Sequence, residues 1–201
     1  MNLEGVRTLV PVADADLVPP PSLFAHQSTL HGQAHVARVM VHAFRLIEAT
    51  GFTAETPRLW AAVYLHDIAR THDGTCHRHG ADAWARLTTL DNVRALFTRA
   101  GVTDGDDPAI EAAVTVHCTG EPPHDHPHRR LMALLKDADG LDRVRLGDLD
   151  PRYFRHRETP GMVGFARRLF EETDGLLEPG PDYWPRLWPR VARILTLRPP
   201  A

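Results

Sequence analysis

Apolar residues recur every three or four positions along most of the chain, which is the pattern of helices with one buried face. The clearest example runs from Ser28, a candidate N-cap, to Gly51, a residue type that commonly ends helices. The buried face of this segment carries Val36, Met40, Ala43, Phe44 and Ile47. The sequence therefore predicts a long amphipathic helix between Ser28 and Gly51.

A second helix is predicted from Pro57 to Ala69. Proline suits the first turn of a helix, and apolar residues occupy nearly every side of this segment, so we expect it to be central and buried. Further helical patterns cover residues 79–88, 91–100, 107–118, 131–146, 161–173 and 183–196. No run alternates between apolar and polar residues over six or more positions, so the predicted fold class is all-α.

The length of 201 residues suits one domain with flanking segments. Residues 1–22 contain four prolines and no helical periodicity, so we predict an irregular arm that either lies over the domain or is left loose. We assign one helical domain to residues 23–158. Residues 159–201 are predicted to form a helical extension that packs on that same domain.

The chain carries 23 basic and 26 acidic residues, so it offers no overall positive field for nucleic acid or an anionic membrane. No apolar run is long enough to cross a membrane, and the first residues lack the pattern of a secretory signal. The two cysteines, Cys76 and Cys118, predict neither a disulfide framework nor a zinc ribbon. We therefore expect a cytoplasmic protein.

Histidine is the compositional exception, with 13 copies. The candidate ligands fall on separate predicted helices: His31 and His35, His66 and Asp67, His79, His117, Asp137 and Asp139. Imidazole and carboxylate together suit Zn, Fe, Mn, Co or Ni, in sites that keep a position for water. The dipeptide His-Asp occurs three times, but only His66-Asp67 ends an apolar run, where a buried aspartate needs a partner or a metal ion.

Three strings, HGQAHVARV, YLHDIAR and LLKDADGLD, follow one another in the chain. In this order they resemble the HD-domain superfamily of metal-dependent phosphohydrolases. The resemblance implies a single HD-domain helical bundle in which a divalent transition metal (Mn, Fe, Zn, Co or Ni) is bound by His35, His66, Asp67 and Asp139. It also implies that His79 and His117 bind a second ion if the site is dinuclear, with Asp67 as the bridge.

The implied reaction is hydrolysis of a phosphomonoester or phosphoanhydride, in a nucleotide or another small phosphate, by a metal-activated hydroxide. Asp67 would orient the water or accept its proton. His31, one helical turn before His35, would hydrogen-bond a ligand or protonate the leaving oxygen. Relatives often have Arg or Lys after the ligand aspartate, whereas this chain has Gly140. Other cations are therefore expected to contact phosphate: Arg70, Arg38, Lys136 and Arg143.

Two other functions compete with hydrolysis. One is a metal-binding or nucleotide-binding regulatory module without turnover, which Gly140 favours. The other is a di-iron HD oxygenase, because such enzymes share the ligand set. A zinc knot is a further arrangement of some of the same side chains, although its spacing fits no standard zinc motif: Cys76, His77, His79 and Cys118.

Several polar residues near these motifs have two interpretations each. Asp137 and Asp142 are expected either to hydrogen-bond the ligands or to cap helices. The arginine-rich segment 152–158 either clamps an anionic substrate or forms a solvated face. His42 shares the helix of His35 without a motif of its own and is expected to pack in the core.

Overall fold

The computed structural model describes residues 1–196, and all regular elements within that range are helices. The α-helices are α1 (Leu3–Arg7), α2 (Gln33–Thr50), α3 (Thr56–Leu65), α4 (His79–Leu87), α5 (Asp91–Arg99), α6 (Asp107–His117), α7 (Arg129–Leu141), α8 (Val163–Glu171) and α9 (Tyr183–Thr196). Short 3-10 turns join them, the longest over Asp142–Leu146. The all-α prediction is confirmed.

Helix α3 lies at the centre of the bundle and packs against α2, α6 and α7. Residues 59–65 are each at most 3% exposed, which confirms that every side of this helix faces protein. Trp60 anchors it by packing edge-on against Phe97, while its indole N–H donates to the carbonyl of Leu17 at 3.0 Å. A helix buried on all sides can carry ligand residues at its end into the interior.

Helix α2 begins later than the sequence predicts. Gly32 is its N-cap, and the prediction that Ser28 fills this role is wrong. The Ser28 hydroxyl instead accepts the backbone N–H groups of Leu30 and His31 at 2.9 and 2.8 Å, which closes a separate turn ahead of the helix. The predicted stop is confirmed, because Gly51 adopts a φ of 74° and its N–H bonds the carbonyl of Ile47.

Helix α3 ends at Leu65, four residues before the predicted boundary at Ala69. The Ile68 carbonyl, which a continuing helix would use, accepts the Ala25 N–H and the Arg86 guanidinium, both at 2.9 Å. The α-helix therefore stops at Leu65, and residues 66–69 form a turn. His66 and Asp67 lie in this turn and are buried.

The N-terminal segment packs over the bundle and contains a helix where none was predicted. Asn2 caps α1 by accepting the Gly5 N–H at 2.9 Å, and Leu3 and Val6 are buried. Two apolar residues are too few to show helical periodicity in the sequence. The arm and the tail meet at Gln33, whose side-chain amide donates to the carbonyls of Pro19 and Gly180.

Helices α8 and α9 contribute to the same hydrophobic core as the rest of the bundle, through Phe165, Leu169, Trp184 and Leu187. The division into an arm, an HD domain and an extension stays a prediction, and the last part of the predicted extension, 197–201, lies outside the described residues. Among residues 1–196, no helix has the length and hydropathy that crossing a bilayer requires.

Candidate metal centre

Three side chains from different helices converge at the centre of the molecule: His35 from α2, His66 from the turn after α3 and Asp139 from α7. We call them the inner cluster. The Nε2 atom of His35 lies 3.2 Å from Nε2 of His66 and 3.3 Å from a carboxylate oxygen of Asp139. Donors this close can share one cation. The sequence placed these residues in a metal site, and the fold brings them together.

A second group lies beside the inner cluster and consists of His79, the first residue of α4, and His117, the last residue of α6. We call it the outer pair. Their Nε2 atoms are 2.8 Å apart. Gly80 makes this approach feasible, because a Cβ atom there would lie 2.1 Å from the Val114 carbonyl oxygen of α6. Any other residue at this position would push α4 away from α6 and separate the two imidazoles.

Asp67 stands between the two groups and directs one carboxylate oxygen to each. Its Oδ2 lies 3.4 Å from Nε2 of His35 and 3.7 Å from Nε2 of His66. Its Oδ1 lies 3.0 Å from Nε2 of His79 and 3.8 Å from Nε2 of His117. Only 3% of Asp67 is exposed. A carboxylate placed in this way can bridge two ions.

All four histidines present the same ring nitrogen to the centre because the other nitrogen is already engaged. Nδ1 of His66, His79 and His117 donates to the backbone carbonyls of Val63, Cys76 and Val114, and Nδ1 of His35 donates to the carboxylate of Asp142. A carbonyl oxygen can only accept, so each of these Nδ1 atoms carries the hydrogen and each Nε2 has its lone pair free.

This donor set fits a metal ion. Lone pairs that face one another at 2.8–3.2 Å repel unless a proton or a cation lies between them. Metal-binding histidines usually donate their second N–H to a carbonyl or a carboxylate, which fixes the tautomer and the ring orientation. The residues that would hold the ions are His35, His66, Asp139 and Asp67 on one side, and His79, His117 and Asp67 on the other.

Asp142 supports the inner cluster from behind. The carboxylate is fully buried, accepts His35 Nδ1 at 2.7 Å and binds the Arg38 guanidinium at 2.6 and 3.0 Å. Of the two roles that the sequence left open for Asp142, the hydrogen bond to a ligand is therefore the one observed. Asp142 follows Asp139 by one turn of helix, so the two side chains are neighbours. This spacing was the signal in the sequence that Asp142 supports a ligand.

The buried carboxylates of the centre favour positive charge on the groups around them. Burial and the Arg145 guanidinium act to lower the pKa of His35, but hydrogen bonds to Asp139 and neighbouring carboxylates outweigh them and raise it to about 9. Burial likewise opposes protonation of His79, yet the Asp67 carboxylate raises its pKa to about 10. Burial lowers the pKa of His66 to about 4. Without a metal ion, His35 and His79 are therefore protonated at neutral pH.

The centre forms the floor of an open cleft with two lobes. A cavity of about 380 Å³ lies on one side and is lined by Asp67, His79, Arg70, Arg143 and Arg145 among others. A second cavity of about 470 Å³ shares His117, Asp139 and Arg143 with the first. Together they give the centre access to a ligand of small-molecule size.

His31 lines the first cavity but does not lie on α2 as predicted, because the helix begins two residues later. The prediction that it stands one helical turn before His35 is wrong. Its ring centre is nevertheless 5.9 Å from that of His35, and its Nδ1 lies 3.1 Å from a carboxylate oxygen of Asp73. Burial lowers the pKa of His31, so the imidazole is neutral at pH 7.

The four cations expected to contact phosphate lie in different surroundings. Arg70 and Arg143 line the cleft. Arg38 does not: it is 1% exposed and its guanidinium binds Asp142, so the prediction that it contacts phosphate is wrong. Lys136 borders the second cavity, but its ammonium donates to three backbone carbonyls at the end of α6, at 3.0–3.1 Å. These three bonds occupy every donor that an ammonium has, which removes the basis for its predicted phosphate contact.

The segment 152–158 covers the second cavity and is held by Asp137. This buried carboxylate accepts the backbone N–H groups of Arg155 and His156 and the hydroxyl of Thr159, all at 2.9–3.0 Å. The ring of Phe154 then occupies the space next to Gly140, where a Cβ atom would lie 3.2 Å from the ring. The absence of a side chain at position 140 therefore has a packing reason.

Comparison of the chain with models of known protein families, with curated proteins and with solved structures gives no match. The residues of the centre and their geometry are therefore what points to a function.

Proposed function

We propose that this protein is an HD-domain hydrolase that uses divalent metal ions to cleave a phosphomonoester or a phosphoanhydride. The observation that carries the proposal is the position of Asp67, with one oxygen toward the inner cluster and the other toward the outer pair. The order of the strings around His35, His66 and Asp139 supports the family, because these are the residues that converge.

A divalent ion held by His35, His66, Asp67 and Asp139 would lower the pKa of water toward neutrality and withdraw charge from a phosphoryl oxygen. The protein itself supplies orientation and charge. Asp67 is held ionised, since the surrounding imidazoles, His66 first, keep its pKa well below the usual range despite burial. It can therefore accept a hydrogen bond from the attacking water and fix its direction.

His31 is placed to accept a proton rather than to donate one. Its Nδ1 donates to Asp73 and its ring is neutral at pH 7, so Nε2 keeps its lone pair, and the side chain lines the cleft. This differs from the role of proton donor to the leaving oxygen that the sequence suggested as one alternative. A base beside the cleft can take the proton of the attacking water as the bond to phosphorus forms.

Arginines give the cleft its preference for an anion. Arg145 lines the first cavity and is oriented by hydrogen bonds to the carbonyls of Leu30 and Asp142. Arg70 is oriented by the Gly74 carbonyl, and Arg143 forms an exposed ion pair with Asp148 that a phosphate can displace. The two cavities suit a nucleotide or another small phosphate, and we keep both as substrate classes.

The competing functions predict different outcomes of the same experiment. Gly140, packed against Phe154, stands where relatives often have Arg or Lys, which favours a binding module without turnover. An oxygenase would consume oxygen when loaded with iron.

The thiols of Cys76 and Cys118 are both free, which supports the expectation of a reducing, cytoplasmic compartment.

The test is release of phosphate from a panel of nucleotides and sugar phosphates, with the protein loaded separately with Mn²⁺, Fe²⁺, Co²⁺, Ni²⁺ and Zn²⁺. We expect turnover with at least one combination of metal ion and substrate. This turnover should be lost in Asp67→Asn. The matched control is Asp125→Asn, since Asp125 belongs to an exposed His-Asp dipeptide outside the cleft. Metal binding without any phosphate release, or full activity in Asp67→Asn, would refute the proposal.

A further inference from the structure

The thiol of Cys118 lies against the outer pair. Three residues, His79, His117 and Cys118, each offer one ligand atom, and these three atoms lie within 4.8 Å of one another. Cys118 immediately follows the last residue of α6, and its backbone leaves the helical conformation with φ of −97° and ψ of 7°. The change of direction at the end of the helix lets two consecutive side chains serve the same site.

The position of the thiol is fixed by the chain around it. His77 donates from Nδ1 to the Cys118 carbonyl at 3.1 Å, and the Cys118 thiol in turn contacts the His77 carbonyl at 3.5 Å. Its other contact is the Thr115 carbonyl at 3.7 Å. A thiol is a weak donor, so both contacts can be given up when the sulphur binds an ion. The side chain also lines the cleft and is accessible from solvent.

We propose that Cys118 is a ligand of the outer ion, which is then bound by two imidazoles, one carboxylate oxygen and one thiolate. The nitrogen and oxygen donors are 2.8–3.8 Å apart, and the sulphur lies within 4.8 Å of a nitrogen of each imidazole, so the donors need only a small adjustment to surround one zinc ion. The inference rests on the metal centre proposed above but not on its reaction.

A sulphur ligand changes which ion the outer site prefers. Thiolate is a soft donor that selects Zn²⁺ or Co²⁺ over Mn²⁺, whereas the inner cluster offers only nitrogen and oxygen. The protein therefore distinguishes its two positions, with Zn²⁺ or Co²⁺ in the outer one and a harder ion such as Mn²⁺ or Fe²⁺ accommodated in the inner one.

Cobalt titration of the full chain tests this inference, because a thiolate bound to Co²⁺ gives a near-ultraviolet charge-transfer band. In the wild-type protein we expect the intensity of this band to saturate at one thiolate-bound Co²⁺ per chain. The band should be absent in Cys118→Ser. The matched control is Cys76→Ser, since Cys76 is a half-buried thiol that lines the same cavity. The control should keep the band. We also expect the affinity of the outer site for Zn²⁺ to fall by at least about tenfold in Cys118→Ser.

A second measurement uses only the wild-type protein. Alkylation followed by peptide mass analysis should modify both cysteines without metal, and Cys76 alone when Zn²⁺ is bound. Visible Co²⁺ bands without a charge-transfer band, or equal alkylation of Cys118 with and without Zn²⁺, would overturn the inference and leave the metal centre standing. No cobalt binding at all would overturn both.

Discussion

Asp142→Asn is the substitution that best tests how the inner cluster is supported. The change keeps the shape of the side chain and removes its charge. Arg38 is then left buried without its carboxylate partner, and His35 loses the charged acceptor of its Nδ1 hydrogen. Removing one member of a buried ion pair costs about 3–5 kcal/mol. In a chain of this size each kcal/mol shifts Tm by about 2–4 °C, so we expect a fall of roughly 6–20 °C.

The same substitution should weaken metal binding. Loss of a carboxylate that orients a ligand histidine typically reduces metal affinity by about 10–100-fold. We expect this reduction at the inner cluster and little change at the outer pair, because Asp142 contacts neither His79 nor His117. Thermal unfolding by circular dichroism gives the fall in Tm, and calorimetric titration with Mn²⁺, the kind of ion proposed for the inner cluster, gives the metal affinity.

Asp137→Asn is the matched control for both measurements. Asp137 is equally buried and also accepts several hydrogen bonds, but it holds residues 155–159 rather than a ligand. We expect it to lower Tm without reducing affinity at the inner cluster. If Asp142→Asn keeps wild-type affinity, or if both variants weaken binding equally, then the carboxylate does not act by orienting His35.

Two further predictions concern protons and packing. The pKa of His35 is raised from 6.5 to about 9 in the folded protein, so protonation of His35 stabilises the metal-free protein below pH 6.5. We expect this contribution to the free energy of unfolding, about 3 kcal/mol, to be lost between pH 6.5 and 9. Urea unfolding of the wild-type protein and of His35→Gln in the presence of a chelator measures this as a difference in pH dependence, and equal pH dependence of the two would contradict the raised pKa of His35. Gly140→Ala should gain about 1 kcal/mol from helix propensity in a Phe154→Ala background and clearly less with Phe154 present, since the new Cβ meets that ring at 3.2 Å. Equal gains in both backgrounds would show that the ring does not restrict position 140.

The helical bundle was predictable because it depends on strong, local signals, whereas the convergence of its ligands was implied by the resemblance to the HD-domain superfamily. Helical periodicity identified α2 and α3, and the burial of α3 followed from apolar residues on every side. Its final His66-Asp67 pair was marked by the cost of burying a carboxylate. These features lie within short segments, so the sequence displays them directly.

The errors concern contacts between distant segments. Arg38 was expected to bind phosphate, but its partner Asp142 lies 104 residues away in the chain. The role of Lys136 depends on where α6 ends in space relative to α7. His31 was misplaced for a local reason, since the Ser28 hydroxyl competes for the N–H groups that start a helix. Gly80 was missed altogether, although its position directly after His79 was visible.

The shared carboxylate of Asp67 has a consequence for how the protein responds to metal supply. If the proposed centre held two ions, each would change the dissociation constant of the other by the same factor, because the two equilibria would be thermodynamically linked. Two cations that shared the single negative charge of Asp67 would repel each other. The second ion would therefore bind at a higher free concentration than the first. Scarce metal would produce a population with one ion per chain, and the doubly loaded form would appear gradually as the supply increased.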